Sequence, residues 1–106
     1  MGRGYNHAMK LTQKQRRHLR GLGYSLKAVV YIGQAGASDA VVAETVRALS
    51  DHELIKVRVN GMEREARNES LASLASRTES ELVGRVGHTA VLYRRRTDQP
   101  GIVLPA

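Results

Sequence analysis

Gly33 and Gly36 lie three residues apart within Val29-Val-Tyr-Ile-Gly-Gln-Ala-Gly-Ala-Ser38, the stretch best suited to chemistry in this chain. The β-branched and aromatic run before them reads as a buried strand. After them, Ser38 is a favoured helix N-cap, and Asp39 sets a carboxylate in the first turn, where the macrodipole favours it. Strand, glycine loop and helix N-terminus together let a second backbone approach closely and aim free N–H groups at an anion. The loop is neither a dinucleotide fingerprint nor a P-loop, since no Gly-Lys-Ser/Thr follows. A tight strand-to-helix turn without a ligand fits the same residues, so the surroundings must decide.

Catalytic spacing is missing elsewhere. His7, His18, His52 and His88 fall in four different elements, and none has metal-ligand spacing to another. His52-Glu53 is an adjacent histidine–carboxylate pair, and neighbours on a strand point to opposite faces. His52 is better placed at the end of a helix, against its last carbonyls. No serine occupies a Gly-x-Ser-x-Gly elbow, and there is no cysteine for a disulfide, a thiolate metal site or a nucleophile. Glu63, Glu65 and Glu69 read as the solvated face of a helix. No catalytic residue, metal, cofactor or small-molecule substrate is expected.

The charge points to binding. The formal net charge is +7, and no acidic residue precedes Asp39. That part holds Arg3, Lys10, Lys14, Arg16, Arg17, Arg20 and Lys27, whereas from Asp39 onward ten basic residues balance ten acidic ones. Such polarity favours a polyanion, either nucleic acid or an anionic membrane surface, over a solubility role alone. The longest apolar run, Ala28 to Ile32, is far too short for a membrane span or a signal-peptide core, so a cytoplasmic protein is expected.

The elements that would position these residues follow from spacing. Residues 1–8 show no periodicity and read as a leader or extension, leaving 9–106 as one domain. Thr12 with Gln15 forms a capping box, and Leu11, Gln15, His18, Leu19 and Leu22 recur at helical spacing. Lys14, Arg17 and Arg20 fall towards the other side, and Gly21 and Gly23 read as the stop. This helix is too short and too poor in large apolar residues for a membrane surface. Leu26 to Ile32 is a strand, Ser38 to Ser50 a helix buried along Val42, Val46 and Leu49, and Glu53 to Val59 a strand with Lys56 and Arg58 on its open face. Asn60-Gly61 turns into a helix over Glu63 to Thr78, with Leu71, Leu74 and Ala75 inward. Ser80 to Val86 and Thr89 to Arg94 form a hairpin across Gly87-His88, which suits a type II′ turn. Arg94, Arg95 and Arg96 follow, and Ile102-Val103-Leu104 can lie along the domain. The order α-β-α-β-α-β-β implies a small two-layer α/β domain with a mixed four-stranded sheet and three helices, one sheet face partly open.

The basic first helix, the glycine loop and the arginine triplet could share one surface. Tyr24, Tyr31 and Tyr93 are the aromatic residues within the fold, and Tyr31 and Tyr93 read as core or sheet-face residues. Backbone and shape recognition of structured RNA therefore fits better than base-by-base readout.

Several segments also resemble a known family. Leu11-Thr-x-Lys-Gln-x-x-x-Leu19-Arg-Gly-Leu22, Leu26-Lys-x-Val-Val30, Gly33-x-x-Gly36, His52-Glu-Leu-Ile-Lys-Val57, Val91-Leu-Tyr-Arg94 and Ile102-Val-Leu-Pro105 occur in the order of the CRM (chloroplast RNA splicing and ribosome maturation) domain. The chain is similar to the stand-alone bacterial YhbY-type form from Met9 to Pro105. The resemblance implies a fold similar to the C-terminal domain of the third bacterial initiation factor, RNA binding, and association with maturing large ribosomal subunits. Plant members carry the module in group II intron splicing factors. It also implies RNA contact by a loop like that of KH domains, here Gly33, Gln34, Ala35 and Gly36. The basic surface would comprise Lys14, Arg17, Arg20, Lys27, Lys56, Arg94, Arg95 and Arg96. Such loops often carry a basic or strongly polar residue between the glycines. Gln34-Ala35 departs from that, so the charge must come from neighbours. A monomer that binds ribosomal RNA precursors is the expectation, and a ribosome-associated factor held mainly by protein contacts is the alternative.

Overall fold

The computed structural model describes residues 10–106; the expected leader, 1–8, lies outside them. The elements are α1 (Gln13–Tyr24), β1 (Ala28–Ile32), α2 (Asp39–His52), β2 (Leu54–Val59), α3 (Arg64–Thr78), β3 (Glu81–Val86) and β4 (Thr89–Tyr93). The expected order and the mixed four-stranded sheet are both present. The strands lie in the order β1-β2-β4-β3, with β1 parallel to β2 and β4 antiparallel to both its neighbours. The crossover through α3 thus carries β3 to the far edge, and the hairpin returns β4 into the gap beside β2. Gly87 takes φ +59° while His88 keeps a negative φ, as a type II′ turn requires.

Local signals act where the sequence places them. Thr12 Oγ1 accepts from the Gln15 amide and Gln15 Oε1 from the Thr12 amide, both at 3.0 Å, closing the capping box. Ser38 caps α2 by accepting from the Val41 amide.

Helices cover both faces of the sheet rather than one. On one face α2 and α3 bury Val30, Ile32, Leu49, Ile55, Val57, Val59, Leu71, Leu74 and Leu92. On the other, α1 and the C-terminal tail bury Leu19, Leu54, Val83, Val91 and Tyr93, with Leu11, Ile102 and Leu104 against them. Burying each such side chain favours folding by about 1.5–3 kcal/mol. The second face stays open along β1, where Val29 and Tyr31 are exposed.

Two expectations for α1 change. Gly21 and Gly23 do not end the helix, which runs through to Tyr24. Gly23 instead permits contact with the sheet, since a Cβ there would stand 2.5 Å from Val91 Cγ1. His18 and Leu22 are exposed, so Leu19 anchors the helix with Gly23. Close backbone packing replaces the wider apolar stripe that the periodicity suggested.

Candidate nucleic-acid interface

The loop is a hydrogen-bonded turn held from behind. The Gly36 amide donates to the Gly33 carbonyl at 2.9 Å, and the Ser38 amide to the Gly36 carbonyl at 2.8 Å. Gly36 adopts φ +72°, which favours glycine, and a Cβ there would meet Ser70 Oγ at 3.2 Å. Arg77 of α3 donates to the Ala37 carbonyl and pairs with Asp39, each at 2.6 Å, fixing the loop to the start of α2. Gln34 Nε2 donates to the Gly61 carbonyl at 3.4 Å, so this amide braces the neighbouring turn. Gly33, Gln34 and Ala35 are exposed. Among the described residues, the backbone amides of Gln34 and Ala35 have no partner. The turn therefore presents N–H groups beside the positive end of α2.

The cations named from sequence fall into three places. Lys14 and Arg17 stand exposed on the outer side of α1, and Lys27 is exposed just before β1. Four others, Arg96 among them, bond the protein's own backbone. Arg20 donates to the Val83 carbonyl at 3.3 Å, Lys56 to the Tyr24 carbonyl at 2.8 Å, and Arg94 to the Thr78 carbonyl at 3.2 Å. Arg96 caps the end of α2 through the Ser50 and Asp51 carbonyls, while Arg95 is exposed.

The arginine triplet does not join the loop. Ile32 pairs with Val59 at one end of β2, and Leu54 pairs with Tyr93 at the other. The length of β2, about 17 Å at the usual strand rise, separates the two ends.

The loop end carries other basic groups that pattern reading did not assign. Arg58, exposed on β2, is the register partner of Tyr31. Arg85 donates to Asn68 Oδ1 on α3. Arg67 donates to His88 Nδ1 at 3.3 Å, which places the proton of a neutral His88 on Nε2. These residues lie far apart in sequence, and the meeting of hairpin and α3 assembles them.

Tyr93 is a core residue, packed with Leu19, Leu54, Val83 and Val91. Burial first, and the Glu53 carboxylate second, push its phenol above the usual tyrosine range, while Arg95 opposes them. Among the described residues its hydroxyl is buried without a partner. A raised folded-state pKa contributes stability that is present below the unfolded value near 10 and lost as pH rises through the folded one. Tyr93→Phe is therefore expected to leave thermal stability at neutral pH unchanged or slightly higher, and to reduce its loss at alkaline pH. Melting curves on both sides of the tyrosine range check this.

Known proteins match the chain over most of its length. The CRS1/YhbY (CRM) domain matches residues 11–94. A Pseudomonas aeruginosa protein named "Probable RNA-binding protein" is 40% identical over 87 residues, 82% of this chain and 84% of the relative. A Haemophilus influenzae "RNA-binding protein" is 39% identical over 95 residues, 90% of this chain and 95% of the relative. The solution structure of a Staphylococcus aureus hypothetical protein superposes with a TM-score of 0.79 at 33% identity, covering 91% of this chain and 100% of that one. With a domain match across both helical layers and the sheet, and two such relatives, the chain belongs to the CRS1/YhbY (CRM) domain family.

Proposed function

We propose that this chain is a non-enzymatic, cytoplasmic RNA-binding protein that contacts ribosomal RNA precursors during large-subunit assembly. The observation that carries the reading is the exposed Gly33–Gly36 turn, with its unbonded amides beside the positive end of α2. A sugar-phosphate chain can approach such a turn closely. Gln34-Ala35 adds no charge, so Arg58 beside the loop supplies it. Lys14, Arg17, Lys27 and Arg95 extend the footprint towards the far end of the sheet, where Arg16 of α1 pairs with Glu81 at the start of β3. Arg20, Lys56, Arg94 and Arg96 hold the scaffold through backbone carbonyls. The names of the relatives point the same way.

Replacing Gln34 and Ala35 together with Asp is expected to weaken RNA binding about tenfold or more, because two carboxylates would face the phosphates. The fold should hold, since both positions are exposed and acids are tolerated near a helix N-terminus. Unchanged affinity in a variant with unchanged melting would remove the loop from the interface. Crosslinking in cells, with sequencing of the attached RNA, tests the ribosomal target.

A factor held by protein is favoured by one observation. Leu22, Leu26, Val29 and Ile102 line an open groove of about 520 Å³ on the α1 side. Mild ribonuclease treatment separates the readings: an RNA-held protein leaves the particle, and a protein-held one stays.

A further inference from the structure

Beyond the end of α1, the second face of the sheet carries an uncovered row that crosses all four strands. The helix stops above the row Lys56–Val91–Gly84, where Gly23 meets Val91, Lys56 caps the Tyr24 carbonyl and the Arg20 side chain packs on Gly84. Two residues further along, the strand registers align Tyr31, Arg58, Thr89 and Val86 on the same face. Tyr31 is 55% exposed and Val86 56%.

We propose that this strip is a stacking platform for an unpaired nucleobase, with Tyr31 supplying the ring and Arg58 the flanking cation. The proposal rests on the RNA-binding reading above and narrows it to RNA with an unpaired segment. Three inter-strand steps give the strip a width of about 14 Å. It holds an aromatic ring, a guanidinium, a hydroxyl and an aliphatic side chain, and no carboxylate. Arg58 Nε donates to Asn60 Oδ1 at 3.1 Å, which steadies the guanidinium beside Tyr31. Two residues after Tyr31, Gly33 opens the turn with the unbonded amides. Base face and phosphate contacts are thus contiguous. A duplex keeps its base faces stacked inside and has nothing to offer Tyr31, whereas loops and bulges can splay a base onto an aromatic ring.

The test compares a stem–loop RNA with an uninterrupted duplex of the same stem sequence, for the unmodified protein, Tyr31→Phe and Tyr31→Ser. Tyr31→Ser is expected to weaken stem–loop binding about 5- to 150-fold, the range for losing one stacked base, and to leave duplex binding unchanged. Tyr31→Phe should bind as the unmodified protein does. In the unmodified protein, the NMR signals of the Tyr31 ring should shift with the stem–loop and not with the duplex, a readout independent of any variant's folding. Equal losses on both RNAs, no loss on the stem–loop, or a silent ring overturns the platform while leaving RNA binding in place. Failure of the unmodified protein to bind either RNA at low salt overturns the RNA-binding reading itself.

Discussion

Glu53→Ala is expected to destabilise the domain by about 3–5 kcal/mol, the cost of breaking a buried, fully hydrogen-bonded charge site. Glu53 is 1% exposed and ends α2 at φ +63°. Its Oε2 accepts from the Arg96 amide at 2.8 Å, and its Oε1 from the Gly101 and Ile102 amides at 2.7 and 3.0 Å. Its backbone carbonyl accepts from the Arg94 amide at 2.8 Å. One side chain therefore fastens the chain after β4 at both ends of its turn. That places Ile102 and Leu104 against Leu19, Leu54 and Tyr93, and lets Gln15 Nε2 donate to the Pro105 carbonyl. Alanine would strand three backbone donors and release this covering. In a domain of this size the loss corresponds to a fall in Tm of at least about 12 °C. Glu53→Gln keeps the volume but turns an NH2 towards backbone donors, so an intermediate loss is expected. Chemical unfolding of the three proteins measures the series. A change below about 1 kcal/mol for Glu53→Ala would show that the tail does not depend on this carboxylate.

RNA affinity is expected to fall about 50- to 150-fold between 50 and 200 mM salt. That follows if Lys14, Arg17, Lys27 and Arg58 each neutralise one phosphate, with a log–log slope of about −0.7 to −0.9 per contact. The four are exposed and lie on α1, before β1 and on β2. Removing one, as in Arg17→Gln, should reduce the slope by about one contact's worth and weaken different RNAs alike. Titrations of a structured ribosomal RNA fragment at several salt concentrations measure both. An affinity nearly independent of salt would mean that these cations do not carry binding.

Local interactions explain how much of the fold was legible. The Thr12–Gln15 box, the Ser38 cap, the period-two strand, which the structure begins at Leu54 rather than Glu53, and the Gly87-His88 hairpin each depend on residues a few positions apart, and each appears in the structure. Leu71, Leu74 and Ala75 are buried on α3 as their spacing predicts. α1 was less legible because its contact is made through an absence of side chain. Gly23 looks like a helix stop in isolation and becomes a packing surface only opposite Val91.

The interface divides along the same line. The strand–glycine loop–helix unit, the +7 charge concentrated upstream of Asp39 and the order of the elements are all properties of neighbours in the chain and can be read from it directly. Packing in three dimensions settles which cations bond backbone carbonyls, sets Arg94–Arg96 at the opposite end of the sheet from the loop, and makes Glu53 the latch of the tail. It alone aligned Tyr31, Arg58, Thr89 and Val86 in one row. Strand register and helix coverage bring together residues tens of positions apart, and no local periodicity encodes which of them will meet.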